Sequence, residues 1–270
     1  MSNRKSYAVS TKLPRKRKRH DVSSSQFSKD SESGTSKLTD TDSNIAASDE
    51  QSCSCITLPD IIDLWPGGKV YYCFENDYGL EERLPILASM AQVEVATQEK
   101  VVFKHLKEAP ADDGGYLIIK LGDHYEATLG YIEDEPAEMI LTTDSLEDKM
   151  GVIMHEILHS LGIRHEHNRP DRDRYVQICW DNIEEEEAHN FFKSDSHFYK
   201  TFGVPYNYYS VMHYGEYTFG IDEYRPTMLF KEDDIANEFI GQRCFLTMQD
   251  IELLNKKYTY EVPRESSCCS

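Results

Sequence analysis

The eleven residues from His155 to His165, HEILHSLGIRH, constrain this chain more than any other segment. His155 and His159 are four apart, a spacing that sets two side chains one turn above the other on a single helix face. Apolar residues Met150, Ile153, Met154, Ile157, Leu158 and Leu161 recur around them at helical spacing. The segment therefore reads as a buried helix, with Asp144-Ser145 and Asp148 at its start. Gly162 ends it: a glycine enters the left-handed conformation without a Cβ clash, so the chain can turn and bring His165 back to the same point. Three imidazoles leave a tetrahedral zinc one position for water, the pattern of a catalytic rather than a structural site. Glu156, between the two helical histidines, is placed to reach that water. By composition alone H-E-x-x-H arises in about 1% of chains of this length, and the run with Gly162 and His165 in about one in 100,000, which sets accidental histidines aside.

The rest of the chain bounds what surrounds this run. Its 270 residues allow one ordinary domain and an appendage. Residues 1–20 hold eight Lys/Arg and no acid, so the formal net charge of -19 leaves -27 on the remaining 250 residues. Such an acidic body repels phosphate backbones and anionic lipid, which excludes nucleic acid and membrane as its main partners, with only the basic tail as a candidate nucleic-acid arm. No run of 18 apolar residues and no apolar segment behind the basic start is present. Seven cysteines, an odd number without C-x2-C pairs, indicate neither a disulfide framework nor a structural zinc cage.

Residues 1–58 are rich in Ser, Asp, Lys and Arg and poor in large apolar residues, so they read as a disordered tail, a candidate pro-segment or localisation tail. Pro14 to Arg19 within it reads as a nuclear-localisation signal, a convertase site or a plain solvated charge run. Residues 59–262 read as the folded domain and 263–270 as a C-terminal tail. Within the domain Lys69 to Phe74 reads as a strand, and Glu81 to Gln98 as a helix in which Leu84, Leu87, Met90, Ala91 and Val95 recur at helical spacing. Val101 to Phe103, Tyr116 to Leu121 and Ala127 to Ile132 read as further strands. Without a regular βαβ rhythm, the class is α+β.

The run from His155 through Arg169-Pro170-Asp171-Arg172-Asp173 to Tyr175-Val176 resembles the signature of the astacin metallopeptidases, a branch of the metzincins. Trp65-Pro66-Gly67, Asn182-Ile183, Asn190-Phe191, Tyr206 to Tyr214, Ile240 to Arg243, Leu246-Thr247, Asp250-Ile251, Asn255 and Tyr258 extend the likeness over about residues 60 to 260. The resemblance implies a metzincin-like domain: a twisted mixed sheet with two long helices above an irregular C-terminal subdomain, and the active-site cleft between them. It implies one Zn2+ per chain on His155, His159 and His165, and an endopeptidase acting on proteins or peptides as a monomer, with Glu156 as general base. Met212 corresponds to the Met-turn beneath the metal, Tyr214 to the tyrosine that moves from the metal to the oxyanion, and Glu166 to the residue that meets the new amino terminus, with a plain surface carboxylate as its rival reading. The substrate is expected to lie extended on an exposed strand edge, for which Ala127 to Ile132 is the candidate. A catalytically silent zinc- or peptide-binding module is the alternative.

The positions that align with the family's four disulfide cysteines hold Lys100, about Glu126, Glu147 and about Tyr260. With no signal peptide in view and the basic run at Arg15 to Arg19, this favours a cytoplasmic or nuclear site over secretion with an incomplete N-terminus.

Overall fold

The computed structural model of the chain describes residues 8–11, 64–75, 78–110, 114–142, 150–196, 199–232 and 235–259. The rest of the expected N-terminal tail, the C-terminal tail and the expected helix start at residues 144–148 lie outside them. In chain order the elements are β1 (Ala8–Thr11), β2 (Lys69–Phe74), α1 (Leu80–Ala96), β3 (Val102–His105), β4 (Leu117–Gly122), β5 (Tyr125–Thr128), β6 (Ala137–Thr142), α2 (Met150–Ser160), β7 (Val176–Ile178), β8 (Met228–Phe230) and α3 (Met248–Thr259).

Six strands form one mixed sheet in the order β1-β5-β6-β4-β2-β3. β3, β2, β4 and β6 run parallel, while β5 is antiparallel to β6. β1 was not expected: residues 8–11 pair antiparallel with the outer edge of β5, Ala8 opposite Thr128 and Thr11 opposite Tyr125. Strand alternation sends Tyr125, Ala127, Ala137, Met139 and Leu141 inward, where they join Val70, Leu117 and Ile119 under the two helices. From α2 the core receives Val152, Ile153, Ile157 and Leu158, and from the turn that follows it Leu161.

Of the five apolar positions expected to pattern helix α1, Met90 faces the core and the other four do not. Ile86, Met90 and Val93 face the core, with Pro85 and Ser89, while Leu84, Leu87, Ala91 and Val95 are exposed. The helix carries two apolar stripes, and the buried one is disguised by Ser89 and Thr97. Both hydroxyls turn back onto their own helix, Ser89 Oγ to Pro85 O at 2.9 Å and Thr97 Oγ1 to Val93 O at 2.8 Å, so neither leaves an unmet group in the core.

Beyond α2 the chain is irregular, held by short 3-10 turns and the two-stranded β7-β8 ribbon. It builds a second, largely aromatic core from Val176, Ile183, Phe191, Tyr206, Tyr208, Tyr214, Phe219, Met228 and Ile240. α3 returns to the first core through Leu253 and Leu254. No helix among the described residues is long and apolar enough to cross a membrane.

The C-terminal end of α2 is where these parts meet. Gly162, at φ +82°, closes it: Ile163 N–H donates to Leu158 O at 2.9 Å and Gly162 N–H to His159 O at 2.8 Å, the paired bonds of a Schellman cap. The last carbonyls of the helix and its turn also accept from three distant segments. Gly130 N donates to His159 O at 3.0 Å, Trp65 Nε1 to Ser160 O at 2.7 Å, Tyr258 Oη to Leu161 O at 3.3 Å and Lys257 Nζ to Gly162 O at 2.9 Å. An alanine at this left-handed position adds about 1–2 kcal/mol of strain. Gly162→Ala is expected to lose that much stability in urea unfolding; an unchanged midpoint would contradict the strained turn.

Candidate active site

His155 and His159 project from α2, and the turn at Gly162 returns His165 to them. Their three Nε2 atoms form a triangle with sides of 3.2, 3.1 and 3.1 Å. The Nδ1 atoms explain the orientation: His155 Nδ1–H donates to Val211 O at 2.7 Å and His159 Nδ1–H to Ile163 O at 2.8 Å. A carbonyl can only accept, so Nδ1 carries the proton and Nε2 presents a lone pair. Lone pairs cannot hydrogen-bond one another; a cation resolves the arrangement. Tetrahedral zinc ligands at about 2.05 Å lie about 3.3 Å apart, so the triangle already has nearly the size the metal needs. This is also the three-ligand group among the described residues whose donor atoms all fall within 4.8 Å of one another.

Zinc requires neutral imidazoles, and the protein supplies them. Desolvation holds His155 and His165 well below the usual histidine range and lowers His159 to about 3. Glu156 is completely buried on the same helix. Its charge acts on both the Tyr214 phenol and the Arg243 guanidinium, raising the pKa of each. Arg243 Nη1 donates to His213 O at 3.0 Å; burial lowers its pKa to about 10, so it remains a cation at neutral pH.

Tyr214 is buried at 2% exposure, and its hydroxyl has no hydrogen-bond partner among the described residues. Burial first, and Glu156 next, push its pKa up, so the phenol keeps its proton. Its ring centroid lies 4.5 Å from that of His165. Met212 is buried in the first core, and its carbonyl accepts from Glu166 N at 3.0 Å, tying the residue after the third imidazole to this loop. Glu166 is no surface carboxylate. It is 4% exposed, and its Oε1 accepts from Arg169 Nη1 and from Asn207 N, each at 2.9 Å. Burial pushes this carboxyl up to about 7 against the pull of Arg169 and the Asn207 N–H.

Sequence reasoning gave no role to Asp250, although the loop that orients His155 hangs from it. Asp250 accepts from Ser210 Oγ at 2.5 Å and Val211 N at 3.3 Å, and Val211 O is the acceptor for His155. The same carboxylate and Thr247 form a reciprocal capping box at the start of α3, Thr247 N to Asp250 Oδ2 at 2.9 Å and Asp250 N to Thr247 Oγ1 at 3.1 Å. The Thr247-x-x-Asp250 spacing was the available signal. The carbonyls of Val211 and Ile163 leave none in sequence.

Five buried imidazoles make the metal-free protein acid-sensitive. His155, His159, His165, His167 and His213 all have pKa values pushed below 6.5 by burial, His213 to about 4. Below pH 6.5 the unfolded chain takes up protons that the fold refuses. Each ring then removes up to about 1.4 kcal/mol of stability per pH unit until its folded pKa is reached. The melting temperature of chelator-treated protein is expected to fall steeply from pH 6.5 to pH 4; a flat profile would contradict neutral, buried rings.

The comparisons with known proteins agree with this geometry. The family model described as Astacin, a peptidase family, matches residues 58–259. The chain is 31% identical over 202 residues to zinc metalloproteinase nas-10 of Caenorhabditis elegans, covering 73% of this chain but 37% of that protein, so it spans little more than a third of that relative. It is 32% identical over 209 residues to the low choriolytic enzyme of Oryzias latipes, covering 76% of this chain and 72% of that protein. Among solved structures it is similar to high choriolytic enzyme 1, a hatching-enzyme zinc-protease of the same fish, with a TM-score of 0.62 and 27% identity over 74% of this chain and 96% of that one. With a mixed sheet, a glycine-terminated helix and three converging imidazoles in place, the chain belongs to the astacin family of zinc metallopeptidases.

Proposed function

We propose that this chain is a zinc-dependent endopeptidase in which Glu156 is the general base and Tyr214 the hydrogen-bond donor to the oxyanion. The reading is carried by the three Nε2 atoms 3.1–3.2 Å apart, on a helix that also holds the buried Glu156. Zinc bound there supplies a Lewis acid and lowers the pKa of water from about 15.7 to about 7. Glu156 takes the proton of the attacking water and delivers it to the leaving amine. Tyr214, kept protonated by burial and with its hydroxyl uncommitted, donates to the carbonyl oxygen as negative charge develops. Glu166, clamped by Arg169 and Asn207 N, holds the chain after His165 in place and needs no part in the proton transfers. The relatives named above as metalloproteinases and choriolytic enzymes support a protein or peptide substrate. The silent-module alternative has no observation in its favour, since no ligand and no acid-base group is missing.

Glu156→Gln is expected to lower cleavage of casein or a quenched peptide by about 100-fold or more while zinc content stays at one per chain. 1,10-Phenanthroline is expected to abolish the wild-type activity. Cleavage that survives either treatment would overturn the mechanism.

The substrate strand, in this reading, pairs with the outer edge of β5, because Gly130, two residues beyond β5, is hydrogen-bonded to the His159 carbonyl. That edge is taken by β1. An antiparallel peptide therefore competes with residues 8–11 for the same N–H and C=O groups. If β1 leaves the edge open a tenth to a third of the time, deleting residues 1–14 raises kcat/KM by about 3- to 10-fold. No change on deletion would mean that substrates use another edge.

A further inference from the structure

Tyr214 lies in a stack that the chemistry above does not require. Its ring rests on the imidazole of His167, with centroids 3.9 Å apart and planes 29° from parallel. His167 in turn stacks on the metal-site residue His165 at 5.2 Å and 25°. Phe191 meets His167 at 5.6 Å and Tyr214 edge-on at 5.7 Å, and Phe219 closes another side of Tyr214 at 5.5 Å.

The imidazole is itself immobilised. It is fully buried, and its Nε2 donates to Asn190 O at 3.2 Å. Arg172 Nη1 grips the backbone on both sides, donating to His167 O and Phe191 O at 2.9 Å each. Its Nδ1 is buried with no hydrogen-bond partner among the described residues, a cost that a purely apolar packing residue would not carry.

A stacked ring fixes a tyrosine differently from a hydrogen bond. Face-to-face contact opposes tilting, because tilting breaks the stack, whereas it favours an offset between the rings and so allows sliding within the plane. A bond to the hydroxyl would instead hold the one group that has to act. We propose that His167 is a positioning residue for Tyr214: the imidazole plane sets the plane of the phenol, so the hydroxyl travels only along a path toward the point where His155, His159 and His165 converge. This rests on the role given to Tyr214 above.

The test compares His167→Ala and His167→Leu, which remove the flat face, with His167→Phe, which keeps it. The Leu variant retains the bulk in case the Ala variant does not fold. His167→Leu is expected to lower kcat by about 3- to 10-fold with KM within 2-fold, and His167→Phe to restore most of the loss. In a Tyr214→Phe background the Leu substitution is expected to cost nothing further, whereas a residue that merely packs would cost the same in both backgrounds. The second readout needs no turnover: in the copper(II)-substituted protein, a tyrosinate-to-copper absorption that Tyr214→Phe abolishes should weaken in His167→Leu and persist in His167→Phe. An unchanged kcat and band in His167→Leu, or equal losses with and without the Tyr214 hydroxyl, would overturn the assignment. A wild-type copper protein with no such band also overturns it, while leaving phenanthroline-sensitive, Glu156-dependent cleavage as separate support for the protease reading.

Discussion

Three imidazole Nε2 atoms converge 3.1–3.2 Å from one another, a crowding of ring nitrogens that a shared cation relieves. Each imidazole must be stripped of water, kept neutral and prevented from turning away. Part of what holds it lies within the run, Ile163 O on His159, and the rest comes from outside it: Val211 O on His155, and the capping of the helix end by Gly130, Trp65, Lys257 and Tyr258. Val211 is fixed in turn by Asp250, whose carboxylate also starts α3. The free energy of zinc binding is thus shared with the folding of segments nearly a hundred residues away in sequence, since the site is complete only when they have docked.

This dependence explains what was legible in the sequence. The convergence of the three histidines, the position of Glu156 and the turn at Gly162 could be read because helical spacing and glycine conformation are local properties of eleven consecutive residues. Strand β2 was equally plain, its six residues falling where the β-branched and aromatic run predicted. The inward face of α1 escaped the pattern because Ser89 and Thr97 satisfy themselves on their own helix and so pass as surface residues. Glu166 could be named but not placed, since its burial depends on Arg169 and on a backbone N–H forty-one residues away. The acceptors behind His155 and His159 were invisible for a simpler reason: a main-chain carbonyl has no residue type.

The two cores divide the work of the site. His155 and His159 stand on a helix embedded in aliphatic packing with Val, Ile and Leu neighbours, the material of a rigid support. Tyr214 belongs to the aromatic core, where its neighbours are rings held edge-on and face-on rather than by hydrogen bonds to its hydroxyl. Metal ligands gain from immobility, because their affinity depends on fixed distances. In the proposed mechanism the Tyr214 hydroxyl meets a charge only as it forms, and there it gains from a support that restrains the ring and leaves the oxygen uncommitted.

The positions at which the family resemblance implies cysteines can be followed in the same terms. Lys100, at one of those positions, donates through Nζ to Asn255 Oδ1 at 2.9 Å, and Asn255 Nδ2 donates to Ala96 O at 3.2 Å. A polar clasp therefore joins the end of α1 to α3. Two such bonds contribute about 1–3 kcal/mol together, at or below the 2–4 kcal/mol typical of a disulfide, but they ask nothing of the redox environment. Because α3 also carries Asp250, Lys257 and Tyr258, the clasp secures the element that aligns His155 and closes the helix end. Stability that a cysteine pair would have concentrated in one covalent bond is spread here over polar contacts around α3, and the zinc site inherits its precision from all of them.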